Sequence, residues 1–126
     1  MKQEDKELLL KDLCARLPYG VKVKTNNINI LKLGSHTRVG EYVTDVIEPC
    51  KPYLFPLSSM TEEQYNEFFS YYHNIEMDAV KASGDYLKAA YIGDDAKYSW
   101  LNKNHFDYRG LIEKGVAIDC TNLNIY

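Results

Sequence analysis

Apolar positions first recur at helical spacing. Leu9, Leu10, Leu13, Cys14 and Leu17 lie on one stripe at intervals of three and four, with charges filling much of the rest, which predicts a helix over 4–17. Pro18 ends it, because a proline ring disfavours helical dihedrals in the residue before it. The period then changes to two. Val21-Lys22-Val23-Lys24 and Ile28-Asn29-Ile30 alternate around Asn26-Asn27, so a hairpin of roughly 20–25 and 28–33 is expected. A third β segment is expected over Val39–Ile47, rich in Val, Tyr, Thr and Ile. Pro49, Pro52 and Pro56 follow within eight residues. Proline removes a ladder donor, so this stretch reads as an extended connector packed across the core, not a central strand.

The sharpest local signal is Thr61-Glu62-Glu63-Gln64, a capping box. Tyr65, Phe68, Phe69 and Tyr72 then recur at i, i+3, i+4 and i+7, giving a helix from 62 to about 73. Over 74–95 the apolar spacing is helical but Ser83-Gly84 interrupts, so two short helices or one broken helix are both open. Gly93-Asp94-Asp95 reads as a turn and the cap of a helix running to about Lys103. Asp107 is expected to cap a short helix through Leu111 and Ile112 that stops at Gly115. Val116–Ile118 is a candidate strand, and the apolar tail Leu123–Tyr126 is expected to dock. The fold class expected is α+β in a single domain, 1–126: an N-terminal helix, a small three-stranded antiparallel sheet, then a helical C-terminal half.

Composition fits that picture. The 126 residues are 45% hydrophobic and 26% charged, enough for one core without disulfide or metal staples. No apolar run approaches the roughly 20 residues of a spanning helix. The acidic start, Met-Lys-Gln-Glu-Asp-Lys-Glu, is unlike a signal peptide, and three widely spaced cysteines (Cys14, Cys50, Cys120) do not form a secreted disulfide framework. A cytoplasmic location is the expectation. The net charge of −3 is uneven: 18–56 carry five basic and three acidic residues, whereas 57–126 carry six basic and eleven acidic. An acidic C-terminal half disfavours wrapping a phosphate backbone.

Candidate chemistry is sparse. There is no phosphate loop, no Gly-x-Ser-x-Gly elbow and no His-Glu-x-x-His. His36, His73 and His105 and the three cysteines lack the close pair spacing of zinc sites, so no metal and no cofactor is expected. A Cys120–His105 nucleophilic pair is conceivable but unspecific. Eleven tyrosines are many. They suit an interface or a base-stacking surface, though rings at helical spacing are more simply core or its margin. The densest polar-aromatic cluster, Trp100 to Gly110, could present Trp100, His105, Tyr108 and Arg109 to a partner. Structurally, Trp100 and Phe106 would anchor the corner, Asp107 would cap, and Arg109 would pair with an acidic neighbour.

Three segments carry a resemblance: Leu8–Gly20 (LLLKDLCARLPYG), Lys51–Glu63 (KPYLFPLSSMTEE) and Trp100–Asp119 (WLNKNHFDYRGLIEKGVAID). Together they resemble a family of uncharacterised small proteins encoded by phages and integrated mobile elements of gut Bacteroidetes. The likeness covers both ends of the chain but not 64–99. That family has no established activity, cofactor or catalytic residue. The resemblance therefore implies context only, a cytoplasmic accessory protein made inside a bacterial host. The leading reading is a non-enzymatic protein-interaction module whose partner is a host or phage protein or a second copy. The alternative is a weak single-stranded nucleic-acid binder using the basic hairpin residues Lys22, Lys24, Lys32 and Arg38. A small enzyme without a recognisable motif is the third.

Overall fold

A computed structural model describes residues 2–34 and 50–126. The expected strand over 39–47, with His36 and Arg38, lies outside the described residues. Among those described, helices and a mixed sheet coexist, so the chain is α+β. It divides into two compact units, one formed by Met1–Ser59 with His105–Tyr126 and the other by Met60–Asn104.

The first unit holds the sheet. Helix α1 spans Gln3–Arg16 and ends in a 3-10 turn, Leu17–Tyr19, closed by left-handed Gly20. Strand β1 (Lys22–Lys24) pairs antiparallel with β2 (Leu31–Lys32), Lys22 opposite Lys32 and Val23 opposite Leu31. The expected hairpin is present, with a wider loop in which Ile28 donates its amide to Thr25 Oγ1. Strand β3 is Lys51–Pro56. It pairs antiparallel with β1 and parallel with two short strands from the C-terminal segment, β4 (Phe106–Asp107) and β5 (Ile118–Asp119).

The proline-rich stretch is thus a paired, central strand, which corrects its reading as a connector. Its prolines tolerate this because Pro52 sits opposite Val23 at the start of the ladder and Pro56 closes the strand. Between them the non-proline residues carry the ladder: Phe55 donates to His105 O, and Leu54 O accepts from Cys120 N. Tyr53 and Leu54 are buried, so the stretch does cross the core as expected. The sheet is consequently mixed and five-stranded among the described residues rather than a three-stranded meander.

The core joins Leu9 and Leu13 of α1 to Val21, Val23, Leu33, Leu54, Leu111 and Val116. The inward face of α1 is Leu9, Asp12, Leu13 and Arg16, while Leu10 and Cys14 are exposed. The expected leucine stripe is therefore rotated, and two charged residues occupy its interior edge. No short helix follows Asp107. Its carboxylate instead caps a turn by accepting from the amides of Arg109, Leu111 and Ile112. The tail docks as expected, with Tyr126 against the sheet.

The second unit is an antiparallel pair of helices. Helix α2 (Glu62–Ser83) begins at the capping box, where Thr61 Oγ1 accepts from Gln64 N at 3.1 Å and Gln64 Oε1 accepts from Thr61 N at 2.9 Å. It continues a further three turns beyond the aromatic repeat and stops at left-handed Gly84. Helix α3 (Tyr86–Lys103) starts at Asp85, whose side chain accepts from Lys88 N. Gly93-Asp94-Asp95 lies inside α3, not in a turn. Glycine is used there for closeness: a Cβ on Gly93 would lie 3.1 Å from Glu76 Cβ on α2.

Candidate functional site

Two features stand out, one in each unit. In the sheet unit, polar side chains converge beneath the C-terminal segment. Asp12 and Arg16, one helical turn apart, are both fully buried. Arg16 Nε donates to Asp12 Oδ2 at 2.9 Å, and Arg109 Nη1 donates to Asp12 Oδ1 at 2.7 Å. Arg16 Nη2 reaches the backbone oxygen of Phe106 at 2.5 Å, tying α1 to β4. The Tyr108 ring faces both guanidinium groups, with Arg109 at 4.6 Å and Arg16 at 5.4 Å from its centroid. Burial makes the loss of either partner costly, because it would leave a charge out of water without its counter-charge.

Next to it, His105 adopts a left-handed backbone conformation, φ 62°, which is uncommon outside glycine. The turn aims its carbonyl at Phe55 N and lays its ring on Tyr126, 3.7 Å between centroids and nearly parallel. Burial, then the charges of Arg16 and Lys22, pull the imidazole down to about 4, so it is neutral at physiological pH. Among the described residues, His105 Nδ1 and Arg16 Nη1 are buried without a hydrogen-bond partner.

Tyr126 completes the group. Its hydroxyl accepts from Lys22 N at 2.8 Å and donates to Tyr53 O at 2.9 Å, bridging β1 and β3 where their ladder stops. Lys22 Nζ donates to Ile125 O at 2.7 Å. Enclosure of the phenol pushes its ionisation well above the usual tyrosine range. Tyr126→Phe should leave two strand-edge backbone groups without that bridge and lower stability by about 1–2 kcal/mol. A thermal melt unchanged from the parent chain would show that the bridge contributes nothing.

An open cleft of about 310 Å³ adjoins this region, lined among others by Phe55, Cys120, Asn122, Asn124 and Tyr126. Its thiol is no nucleophile at neutral pH, because burial and then Asp119 push Cys120 up to about 11. Cys50 is also raised to about 11 by burial. No group of three His, Cys, Asp or Glu side chains able to hold a metal ion occurs among the described residues.

Of the residues singled out in the sequence, Trp100 is buried in the helical unit, 5.1 Å from Phe68. His105, Tyr108 and Arg109 do come together, but inward: His105 is buried and the other two are half-buried around Asp12. Asp107 caps and Arg109 pairs with a carboxylate, as the structural account of this corner required. In the hairpin, Lys22 is engaged by the tail, Lys24 and Lys32 are exposed, and Arg38 lies outside the described residues. The members that sequence reasoning passed over are Asp12, Arg16 and Tyr126. The i, i+4 spacing of Asp12 and Arg16 beside Leu9 and Leu13 was the available signal.

The second feature is the outer surface of the helical pair. Among its residues, α2 has no buried side chain. Its half-buried stripe of Phe68, Tyr72, Ile75 and Ala79 follows the helical repeat, and Phe68 meets Trp100 of α3. Beside it runs an exposed stripe of Tyr65, Phe69, His73 and Met77, in which the Phe69 and His73 rings stack at 5.2 Å. On α3 the buried face is Ala89, Gly93, Ala96 and Trp100. At 3.6 residues per turn, Leu87, Tyr91 and Tyr98 fall together on the opposite side. They are 68%, 67% and 52% exposed, and neighbouring Tyr86 is 76% exposed.

No family model matches this chain. No curated protein and no solved structure matches it either. No helix among the described residues is long and apolar enough to cross a membrane.

Proposed function

We propose that this chain is a small, non-enzymatic interaction module that engages another protein through its helical pair. The observation that carries this is the apolar stripe Leu87–Tyr91–Tyr98 on the face of α3 turned away from α2. Scattered apolar side chains need no explanation, but a row of large ones at helical spacing is what a partner helix or groove recognises. Tyrosine suits the role because it buries a large ring while keeping a polar tip. The sheet unit supports the same reading from the other side. There, among the described residues, His105 is neutral and the Cys120 thiol that lines the cleft is protonated, so neither is an activated nucleophile. The setting we infer from the resemblance of the three segments is the cytoplasm of a bacterial host, as a phage or mobile-element accessory protein.

The reading is tested by cross-linking the full chain in lysate of a gut Bacteroidetes host, alongside purified chain alone. Tyr91→Glu should abolish the cross-linked species while leaving the circular dichroism spectrum intact. Cross-linked products identical for the parent and for Tyr91→Glu would remove the α3 face as the interaction surface.

A further inference from the structure

Resting on that reading, we propose that the occupant of the α3 face is a second copy of this chain, joined by an antiparallel α3–α3 crossing about a two-fold axis. The stripe lies on the side of α3 away from its buried face, so the two copies meet through α3 alone, and the crossing buries the row that each leaves outside.

The areas agree. At the roughly 200 Å² that a fully buried large side chain contributes, the exposed parts of Leu87, Tyr91 and Tyr98 amount to on the order of 370 Å². A standard interface takes about 800 Å² from each partner, somewhat over half of it apolar. The α3 stripe supplies most of that apolar share, and the polar residues along its margin, Lys88 and Asp95, supply rim.

The spacing suits a self-complementary seam, as a two-fold interface requires. Leu87, Tyr91, Asp94 and Tyr98 step by four, three and four residues, the repeat of a helix–helix seam. In an antiparallel crossing centred on this run, Leu87 of each copy lies against Tyr98 of the other. Tyr91 then lies against Asp94, where its hydroxyl can donate to the carboxylate. Asp94 is accessible for this: its carboxylate is exposed and its ion pair with Lys97 is long, at 3.4 Å.

Charge separates this occupant from a heterologous one. Residues 60–104 carry four lysines against eight carboxylates. Two copies therefore repel at long range, and the contact that holds them is apolar. Added salt screens the repulsion and should tighten the dimer. A basic partner on the same face would show the opposite dependence.

Analytical ultracentrifugation of the full chain tests this between about 1 and 100 μM. The expected result is a species of twice the 14.6 kDa chain mass, with a dissociation constant that falls between 0.1 and 0.5 M sodium chloride. Leu87→Glu with Tyr91→Glu should weaken association at least ~100-fold, as expected for two central residues each worth over a factor of ten. Tyr71→Glu, on the opposite flank of α2 from Tyr65 and Phe69, should leave the dimer intact. A chain that stays at 14.6 kDa throughout at 0.5 M salt overturns the proposal. So does a dimer indifferent to the Leu87 and Tyr91 substitutions while still folded by circular dichroism. If the chain is monomeric and yet a lysate protein cross-links in a Tyr91-dependent way, self-association fails while the interaction reading stands. If neither depends on Tyr91, both fail.

Discussion

Asp12→Asn should destabilise the sheet unit by about 3–5 kcal/mol, the range for breaking a buried ion pair by removing one partner. The substitution keeps size and shape but removes the charge that Arg16 and Arg109 share at 2.9 and 2.7 Å. Arg16 is fully buried and has no route to water without moving α1 off the sheet. Its guanidinium would retain the Phe106 carbonyl and the Tyr108 ring, neither of which neutralises it. With a urea slope of about 1–3 kcal/mol per molar, the midpoint should fall by about 2 M. Asp12→Leu combined with Arg16→Met should recover much of the loss, because apolar residues of similar volume commonly replace a buried pair without penalty. Arg109→Gln should cost far less than Asp12→Asn, since the Arg109 side chain retains contact with solvent and Arg16 still neutralises the carboxylate. An Asp12→Asn midpoint within 0.3 M of the parent, on the same roughly 1–3 kcal/mol per molar slope, would mean that the buried carboxylate is not what holds the two arginines.

That cluster also shows where sequence reading stopped. Local signals were legible. The Thr61 capping box, the Asn26-Asn27 hairpin and the break at Ser83-Gly84 each depend on a few neighbouring residues, and each appears in the structure. The proline-rich strand was not legible, because its place in the sheet is decided by partners 50 and 66 residues away, His105 for Phe55 and Cys120 for Leu54. The orientation of α1 was missed for a related reason. Leu9, Leu10, Leu13 and Cys14 permit several rotations of the helix, and the observed one is set by Arg109, 97 residues beyond Asp12. A charged pair on an otherwise leucine-rich face looks solvated until the third charge is in place. Gly93 inside α3 follows the same logic: as a lone residue it signals a turn, and only the approach of Glu76 explains it in a helix. The outward tyrosines are visible in the sequence only as a surplus, whereas the polar-aromatic run around His105, which packs inward, is its densest cluster. Exposure is settled by tertiary packing, which spacing alone does not reveal.

His105 should make the fold acid-sensitive in a defined window. In the unfolded chain the imidazole takes up a proton as pH falls through about 6.5, whereas in the fold it does so only near 4. Between those values the unfolded state binds the additional proton, so stability is full above about 6.5 and is lost as pH falls towards 4. Two and a half units at 1.36 kcal/mol each amount to about 3 kcal/mol lost across the window. The physical cause is local: a protonated ring would lie stacked on Tyr126, out of water, between Arg16 and Lys22. His105→Asn isolates the effect. Asparagine tolerates the left-handed backbone that His105 occupies at φ 62°, so the Phe55-to-105 ladder bond survives the change. It has no group that titrates here, and the carboxylates and remaining histidines form the same background in both proteins. The difference between the two urea stability curves should therefore grow by about 3 kcal/mol in favour of the asparagine variant from pH 7.5 down to pH 4. Two curves that run parallel over that range would show that the buried ring carries no linked proton, and with it the enclosure by Arg16, Lys22 and Tyr126 on which the sheet unit is built.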